Sequence, residues 1–176
     1  DTRDHVPSRI LLDDPLTENL AVVDACTVCN QSFSLDEEYL ACFLECVLAG
    51  STDTSRLSRD KINRALSRNA RLSSRIQASA RIDDHHGLTW EPEYERVQHI
   101  AVKLARGHAA YELSLPQLDD PESVFVSSLL AMTKWDRKAF ENAGLGEPRL
   151  LPEVGSRAFF RAVGARPYGD QAGPWV

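Results

Sequence analysis

Asp4-His5-Val6-Pro7, a gap to Asn19-Leu20, and then Cys26-Thr27-Val28-Cys29-Asn30 form the stretch that most narrows what this chain can fold into. A histidine beside a carboxylate puts a group that titrates near neutral pH next to a hard oxygen ligand for a divalent cation. That pairing suits phosphodiester hydrolysis, in which a metal stabilises charge on the phosphate and leaving oxygen while an imidazole takes a proton from water. Both roles need fixed geometry. A Cys-x-x-Cys knuckle is half of a tetrahedral zinc site, and Cys26 and Cys29 would pin the loop that ends in Asn30. Asn30 then offers an amide oxygen as a second, neutral ligand.

The apolar pattern around these residues predicts two strands and a helix. Residues 7–25 lack helical periodicity, and Ile10-Leu11-Leu12 and Leu20-Ala21-Val22-Val23 are short apolar runs on either side of Asp13-Asp14-Pro15, a pair of strands around a turn. Ser34, followed by Asp36, Glu37 and Glu38, is a helix start, with a cap hydroxyl and acids at the positive end of the dipole. The helix runs to about Ala49 and stops at Gly50, with Leu40, Phe43, Leu44, Val47 and Leu48 as its expected core face.

In this order, Asp-His-Val-Pro, Asn-Leu and Cys-x-x-Cys-Asn resemble the core of HNH endonucleases, the ββα-metal or His-Me finger fold, over residues 3 to about 40. The resemblance implies Asp4 as a metal ligand, His5 as general base, and Asn19 as the residue holding the His5 loop by backbone hydrogen bonds. Asn30 would be the second metal ligand, where the family has its last His or Asn. Cys26 and Cys29 match the second half of the family's structural zinc site. The implied cofactors are Mg²⁺ or Mn²⁺ for catalysis and Zn²⁺ for structure, and the implied substrate is nucleic acid, with DNA as the expected form.

Two completions of the zinc site stay open. The family takes its other two cysteines from a Cys-x-x-Cys ahead of the Asp-His pair, upstream of Asp1. Alternatively, Cys42 and Cys46, four apart on the predicted helix, give Cys-x2-Cys-x12-Cys-x3-Cys, the spacing of a small ββα zinc finger. If they are not ligands, they are small buried residues.

Charge is unevenly spread over the chain, whose net charge is −6. Arg3 and Arg9 are the only basic side chains in residues 1–50, which are otherwise acidic, whereas Arg56, Arg59, Lys61, Arg64, Arg68, Arg71, Arg75 and Arg81 face the single acid Asp60 across residues 56–81. Leu57, Ile62, Leu66, Leu72 and Ile76 among those arginines predict two short amphipathic helices broken at Asn69. Such a surface either follows a phosphate backbone or is a solvated face paired with the acidic region.

Further along, Asp83-Asp84-His85-His86-Gly87 reads as an exposed turn, with a second metal site as the alternative. Residues 91–113 predict a long helix with Val97, Ile100, Ala101, Leu104, His108 and Tyr111 on one face. An apolar helix is expected at 122–132, an amphipathic one at 134–143, a strand at 150–154, and a helix or strand at 156–163. No apolar run is long enough to span a membrane, and the absence of a leader pattern makes a cytoplasmic location the expectation. The sequence thus predicts a predominantly helical α+β protein: an HNH-like ββα module over 1–50, then a helical region over 51–176 with an irregular carboxy-terminal tail. Against the nuclease stand two alternatives: a non-catalytic, zinc-stabilised module that binds nucleic acid or protein, and a helical interaction domain in which the Asp-His pair is an ordinary loop.

Overall fold

Strand β1, Thr2–Val6, and strand β2, Ala21–Ala25, open the fold as an antiparallel pair. The computed structural model describes residues 2–16, 18–84, 87–114, 116–128, 131–141, 149–151, 159–161, 164–165 and 174–175. β-Branched Thr2 and Val6 bracket β1, and Pro7, with no N–H to give the ladder, ends it. At the open end the Thr2 hydroxyl donates to the Ala25 carbonyl at 3.1 Å.

The expected strand at Ile10-Leu11-Leu12 is instead a 3-10 turn at Arg9–Leu11, and the partner of β2 is the segment before it. Leu11 and Leu12 are adjacent and both buried. A strand would send them to opposite faces, whereas a tight turn carries both inward.

Helix α1, Thr27–Ser32, follows β2 and leads into helix α2, Ser34–Ala49, which ends where Gly50 takes the left-handed conformation at φ 61°. The expected Ser34 cap does not form. Phe33 occupies the cap position, and the Ser34 hydroxyl donates to the Gln31 carbonyl at 2.8 Å. Asp36 and Glu37 do lie in the first turn.

The core face of α2 is rotated from the expected one. Tyr39, Cys42, Phe43 and Cys46 are buried at helical spacing, while Leu48 is 73 % exposed. A cysteine thiol packs as a small hydrophobe, so this stripe is apolar although the leucines lie beside it. Glu45, 2 % exposed, lies among these residues. Its Oε1 accepts from the Ser58 amide at 2.9 Å, the Ser58 hydroxyl at 2.6 Å and the Arg59 amide at 3.3 Å, and its other oxygen lies 3.9 Å from the buried Arg59 guanidinium. Those amides precede helix α3, Asp60–Arg68, so one buried carboxylate ties α2 to the start of α3.

Helix α4, Ala70–Ala78, follows α3 with Asn69 between them, as its position in the sequence predicts. The Asn69 side chain accepts from the Leu72 amide at 3.0 Å, capping α4, and Ile62, Leu66, Leu72 and Ile76 are buried. A short hairpin comes next, β3 (Ala80–Asp83) with β4 (Gly87–Trp90); the expected turn between them includes His85 and His86, which lie outside the described residues.

Helix α5 spans Tyr94–Leu113. Its buried positions include Ile100, Lys103, Gly107 and Ala109, and Tyr111, expected on the core face, is half exposed. Residues 122–128 are irregular rather than helical, which suits a Ser-Val-Phe-Val run of β-branched, aromatic and hydroxyl side chains; Leu129 and Leu130 lie outside the described residues. Helix α6 is Lys134–Glu141, and short pairs β5 (Arg149–Leu151) with β6 (Phe159–Arg161), and β7 (Gly164–Ala165) with β8 (Pro174–Trp175), follow.

The class is therefore mixed α+β and mostly helical. Two compact units make up the chain, one formed by Asp1–Thr27 with Ala101–Val176 and the other by Val28–Ile100. Among the described residues no helix is long and apolar enough to cross a membrane.

Candidate functional site

In the β1–β2 ladder, Asp4 pairs with Val23 and His5 with Val22. Successive side chains of a strand point to opposite faces, so the two neighbours part company. Asp4 shares a face with Val6. His5 shares the other with Arg3 and with their cross-strand partners Val22 and Asp24.

The Asp4 face is covered by the second half of α5. Lys103 donates to Asp4 Oδ2 at 2.9 Å, to Asp4 Oδ1 at 3.1 Å, and to the Ser8 hydroxyl at 3.0 Å. Its side chain is 8 % exposed and that of Asp4 17 %. One helical turn on, Gly107 meets Val6: a Cβ added there would lie 2.7 Å from Val6 Cγ2 and 3.2 Å from Cγ1.

The match is geometric. Lys103 and Gly107, four residues apart, stand about 6 Å apart along the helix at 1.5 Å per residue. Asp4 and Val6, two apart, stand about 6.6 Å apart along the strand at 3.3 Å per residue. The small residue lets the helix come close, and close approach brings the ammonium onto the carboxylate. A cation this deeply buried is costly unless it is paired and hydrogen-bonded, and both requirements are met by Asp4 and Ser8.

The His5 face is more open. An open cleft of about 440 Å³ is lined by Arg3, Asn19, Leu20, Ala21, Val22, Asp24 and Tyr111. It contains Asn19 and three of the four residues that share this side of the ladder: Arg3, Val22 and Asp24. His5 is half buried, and its side chain makes no hydrogen bond among the described residues. The structure thus gathers Arg3, Asp24 and Asn19 around one cleft whose lining does not include His5, and holds Asp4 on the face of the strand opposite His5.

Asn30 is half buried within α1. Cys26 and Cys29 are exposed, Cys42 and Cys46 are fully buried, and none of the four is in a disulfide. Burial pushes the Cys42 thiol up to about 12, with the nearby Glu38 charge adding to it, and burial with the Glu45 charge pushes Cys46 up to about 11. Both thiols keep their protons at physiological pH in this metal-free fold. Among the described residues no three His, Cys, Asp or Glu side chains stand together so as to hold a metal ion. As arranged, these residues do not fit a four-cysteine zinc site, and Asp4 does not fit a divalent ion while both its oxygens hold Lys103.

A polar cluster in the unit Val28–Ile100 lay outside every sequence expectation. Asp36 Oδ2 lies 2.7 Å from His99 Nδ1 and its Oδ1 3.2 Å from Arg96, whose guanidinium stands 5.1 Å over the Tyr39 ring; the Tyr39 hydroxyl accepts from the Glu93 amide at 2.7 Å. It braces the start of α5 against α2. Arg64, Arg68 and Arg71 are exposed and make no ion pair among the described residues, whereas Arg59 and Arg75 pair with Glu45 and Glu93.

Lys103 and Gly107 are the residues that sequence reasoning missed. A lone lysine between Val102 and Leu104 reads as a solvent-facing position, and its only signal was the glycine one turn later on the same helix. No family model, no curated protein and no solved structure matches the chain.

Proposed function

We propose that this chain is an HNH-type endonuclease that hydrolyses phosphodiester bonds in nucleic acid, with DNA as its expected substrate. What supports the reading above all is the order of elements around the motif: Asp4 and His5 late in the first strand, a long loop carrying Asn19, a returning antiparallel strand, and a helix bearing Cys29 and Asn30. That order agrees with the strand, loop, strand and helix of the ββα-metal fold that the sequence resembles.

In this reading His5 takes the proton from the attacking water. Its imidazole makes no hydrogen bond among the described residues, so its nitrogens are open to a substrate or water, and it shares its face of the hairpin with Arg3 and Asp24, which line the cleft. Arg3, beside His5 on the same face, supplies positive charge for a phosphate. Asn19, which the resemblance implies as the residue holding the His5 loop, lines the cleft. The exposed Arg64, Arg68 and Arg71 suit contact with a phosphate backbone and add salt-dependent affinity. The resemblance implies Asp4 and Asn30 as ligands for Mg²⁺ or Mn²⁺, but Asp4, with Lys103 on both its oxygens, does not fit a divalent ion as arranged, and no step here is routed through one. No part of the histidine chemistry above depends on that ion's position.

One observation favours the second reading, a module that binds nucleic acid without cutting it: Asp4 is held by Lys103 rather than open. The experiment that separates the two is incubation of supercoiled plasmid with the protein and Mn²⁺, beside His5→Ala. Nicking or linearisation by the wild type and its loss in the variant, with DNA binding retained in both, upholds the nuclease. DNA binding without cleavage by the wild type favours the binding module, and equal cleavage by both proteins removes His5 from the chemistry.

A further inference from the structure

We infer that the cleft beside the β1–β2 ladder holds an unpaired guanine of a single nucleic-acid strand, with Asp24 reading the base, Arg3 on the phosphate and Tyr111 stacking the neighbouring base. The inference rests on the proposed reading for its nucleic acid, whereas the base is read from the lining of the cleft.

Asp24 is the informative residue. It stands directly across the ladder from Arg3, at about 5 Å between Cβ atoms, yet neither side chain makes an ion pair or hydrogen bond among the described residues. Both are exposed and both line the cleft. A carboxylate repels phosphate and accepts hydrogen bonds without giving any, so a strand entering here has to meet it with N–H groups, and those lie on base edges.

The carboxylate presents two acceptor oxygens side by side. Guanine answers with two adjacent donors on its Watson–Crick edge, N1–H and the N2 amine. Adenine and cytosine offer a single amine there, and thymine a single N–H between two carbonyls. Pairing hides that edge, so the guanine that Asp24 reads is unpaired.

The length of the cleft points the same way. Lys103 meets Asp4, and a Cβ at Gly107 would meet Val6. Tyr111, four residues further along α5, therefore comes past the Val6 end of β1, beside Asn19, Leu20 and Ala21. From Ala21 to Asp24 is about 10 Å along β2 at about 3.3 Å per residue. Stacked bases of a duplex strand lie about 3.4 Å apart, so bases held at the two ends of this cleft are splayed rather than stacked on each other. The half-exposed Tyr111 ring offers a stacking face to the second base and Asn19 an amide to its edge. The cleft volume of about 440 Å³ falls in the range of about 300–1,000 Å³ usual for ligand sites.

The test is fluorescence anisotropy of short labelled oligothymidines that carry guanine, adenine, cytosine, hypoxanthine or thymine at one central position, without added metal ion. Hypoxanthine is guanine without the N2 amine. The guanine strand is expected to bind about tenfold more tightly than the other four, and annealing a complementary strand is expected to remove that preference. Asp24→Ala should bind all five alike. Tyr111→Leu should weaken all five about tenfold and keep the preference, as should Arg3→Ala to a smaller extent. Removing the Asp24 charge strengthens binding of every strand, so the ratio between bases decides. All three side chains are exposed, and their replacement leaves the buried core untouched.

Equal binding of the five strands, no binding of any, a preference that survives Asp24→Ala, or one that persists in the duplex overturns the inference. Guanosine monophosphate is expected not to displace the guanine strand at equal concentration, and displacement would overturn the strand as the ligand. Failure is distinguishable from failure of the nuclease reading. Plasmid cleavage that depends on His5, with no base preference in binding, sinks only the guanine site. A guanine preference without cleavage sinks only the nuclease.

Discussion

Replacing Gly107 with alanine tests how closely α5 lies on the first strand. The added Cβ would meet Val6 Cγ2 at 2.7 Å and Cγ1 at 3.2 Å, and Val6, β-branched and 4 % exposed, has little room to turn away. Overpacking of this kind costs roughly 1–3 kcal/mol. Against it, alanine in place of glycine in a helix interior stabilises by roughly 1 kcal/mol. The balance is a net loss of about 1 kcal/mol for Gly107→Ala. Val6→Ala alone removes two buried methyl groups and costs about 2 kcal/mol with its cavity. It also removes the two atoms that the new Cβ strikes, leaving Val6 Cβ at 3.6 Å, an ordinary contact. In that background Gly107→Ala should therefore stabilise by about 1 kcal/mol, a coupling of about 2 kcal/mol between two residues far apart in sequence. Urea unfolding of the four proteins measures it. A Gly107→Ala change that stabilises by the same amount with and without Val6 would refute the close approach, and with it the reason that Lys103 reaches Asp4.

Four further outcomes follow from the geometry. Glu45→Ala, which strips the buried Arg59 of its carboxylate and the start of α3 of its acceptor, should cost about 3–5 kcal/mol in urea unfolding, and Glu45→Gln less, because the amide oxygen still accepts from Ser58. In the native protein Cys26 and Cys29 should react with a thiol reagent and Cys42 and Cys46 should not, all four reacting in urea. The thiols of Cys42 and Cys46 are raised by burial, so the folded state keeps protons that the unfolded state loses above about pH 9. Stability should therefore be full below that pH and fall as pH climbs through about 11 to 12. If the arginines touch phosphate, Arg64→Ala and Arg71→Ala should each lower the salt slope of DNA binding by about 1, measured by fluorescence anisotropy across salt concentrations, with no dependence on sequence.

Elements governed by local chemistry were legible from the residues. Gly50 stops α2 where a left-handed residue is needed, Asn69 divides α3 from α4 by capping the second, and the arginine-flanked apolar positions Ile62, Leu66, Leu72 and Ile76 are buried as their spacing predicts. The long-range pairing was not. Thr2–Val6 has one apolar residue of five at its inner end and no visible alternation, so its role as partner of β2 depends on contacts about twenty residues away. The phase of α2 misled because leucine outranks cysteine on any hydropathy scale, yet Cys42 and Cys46 are the smaller side chains and fill the tight interior.

At the candidate site the motif residues were readable, whereas their distribution between two faces of a strand was not. Asp4 and His5 are neighbours in sequence, and only the ladder shows that the pleat separates them. Lys103 was invisible for the same reason that it matters: it answers a carboxylate 99 positions away, and no window along the chain contains both.

The central claim, that His5 is the base of a phosphodiester hydrolysis, is tested most directly by the single-turnover cleavage rate of His5→Gly in Mn²⁺ with and without added imidazole. The account predicts a rate reduced by about 10²–10⁴ that free imidazole partly restores through the space left by the side chain. A His5→Gly protein that cleaves as fast as the wild type, with imidazole making no difference, would contradict it.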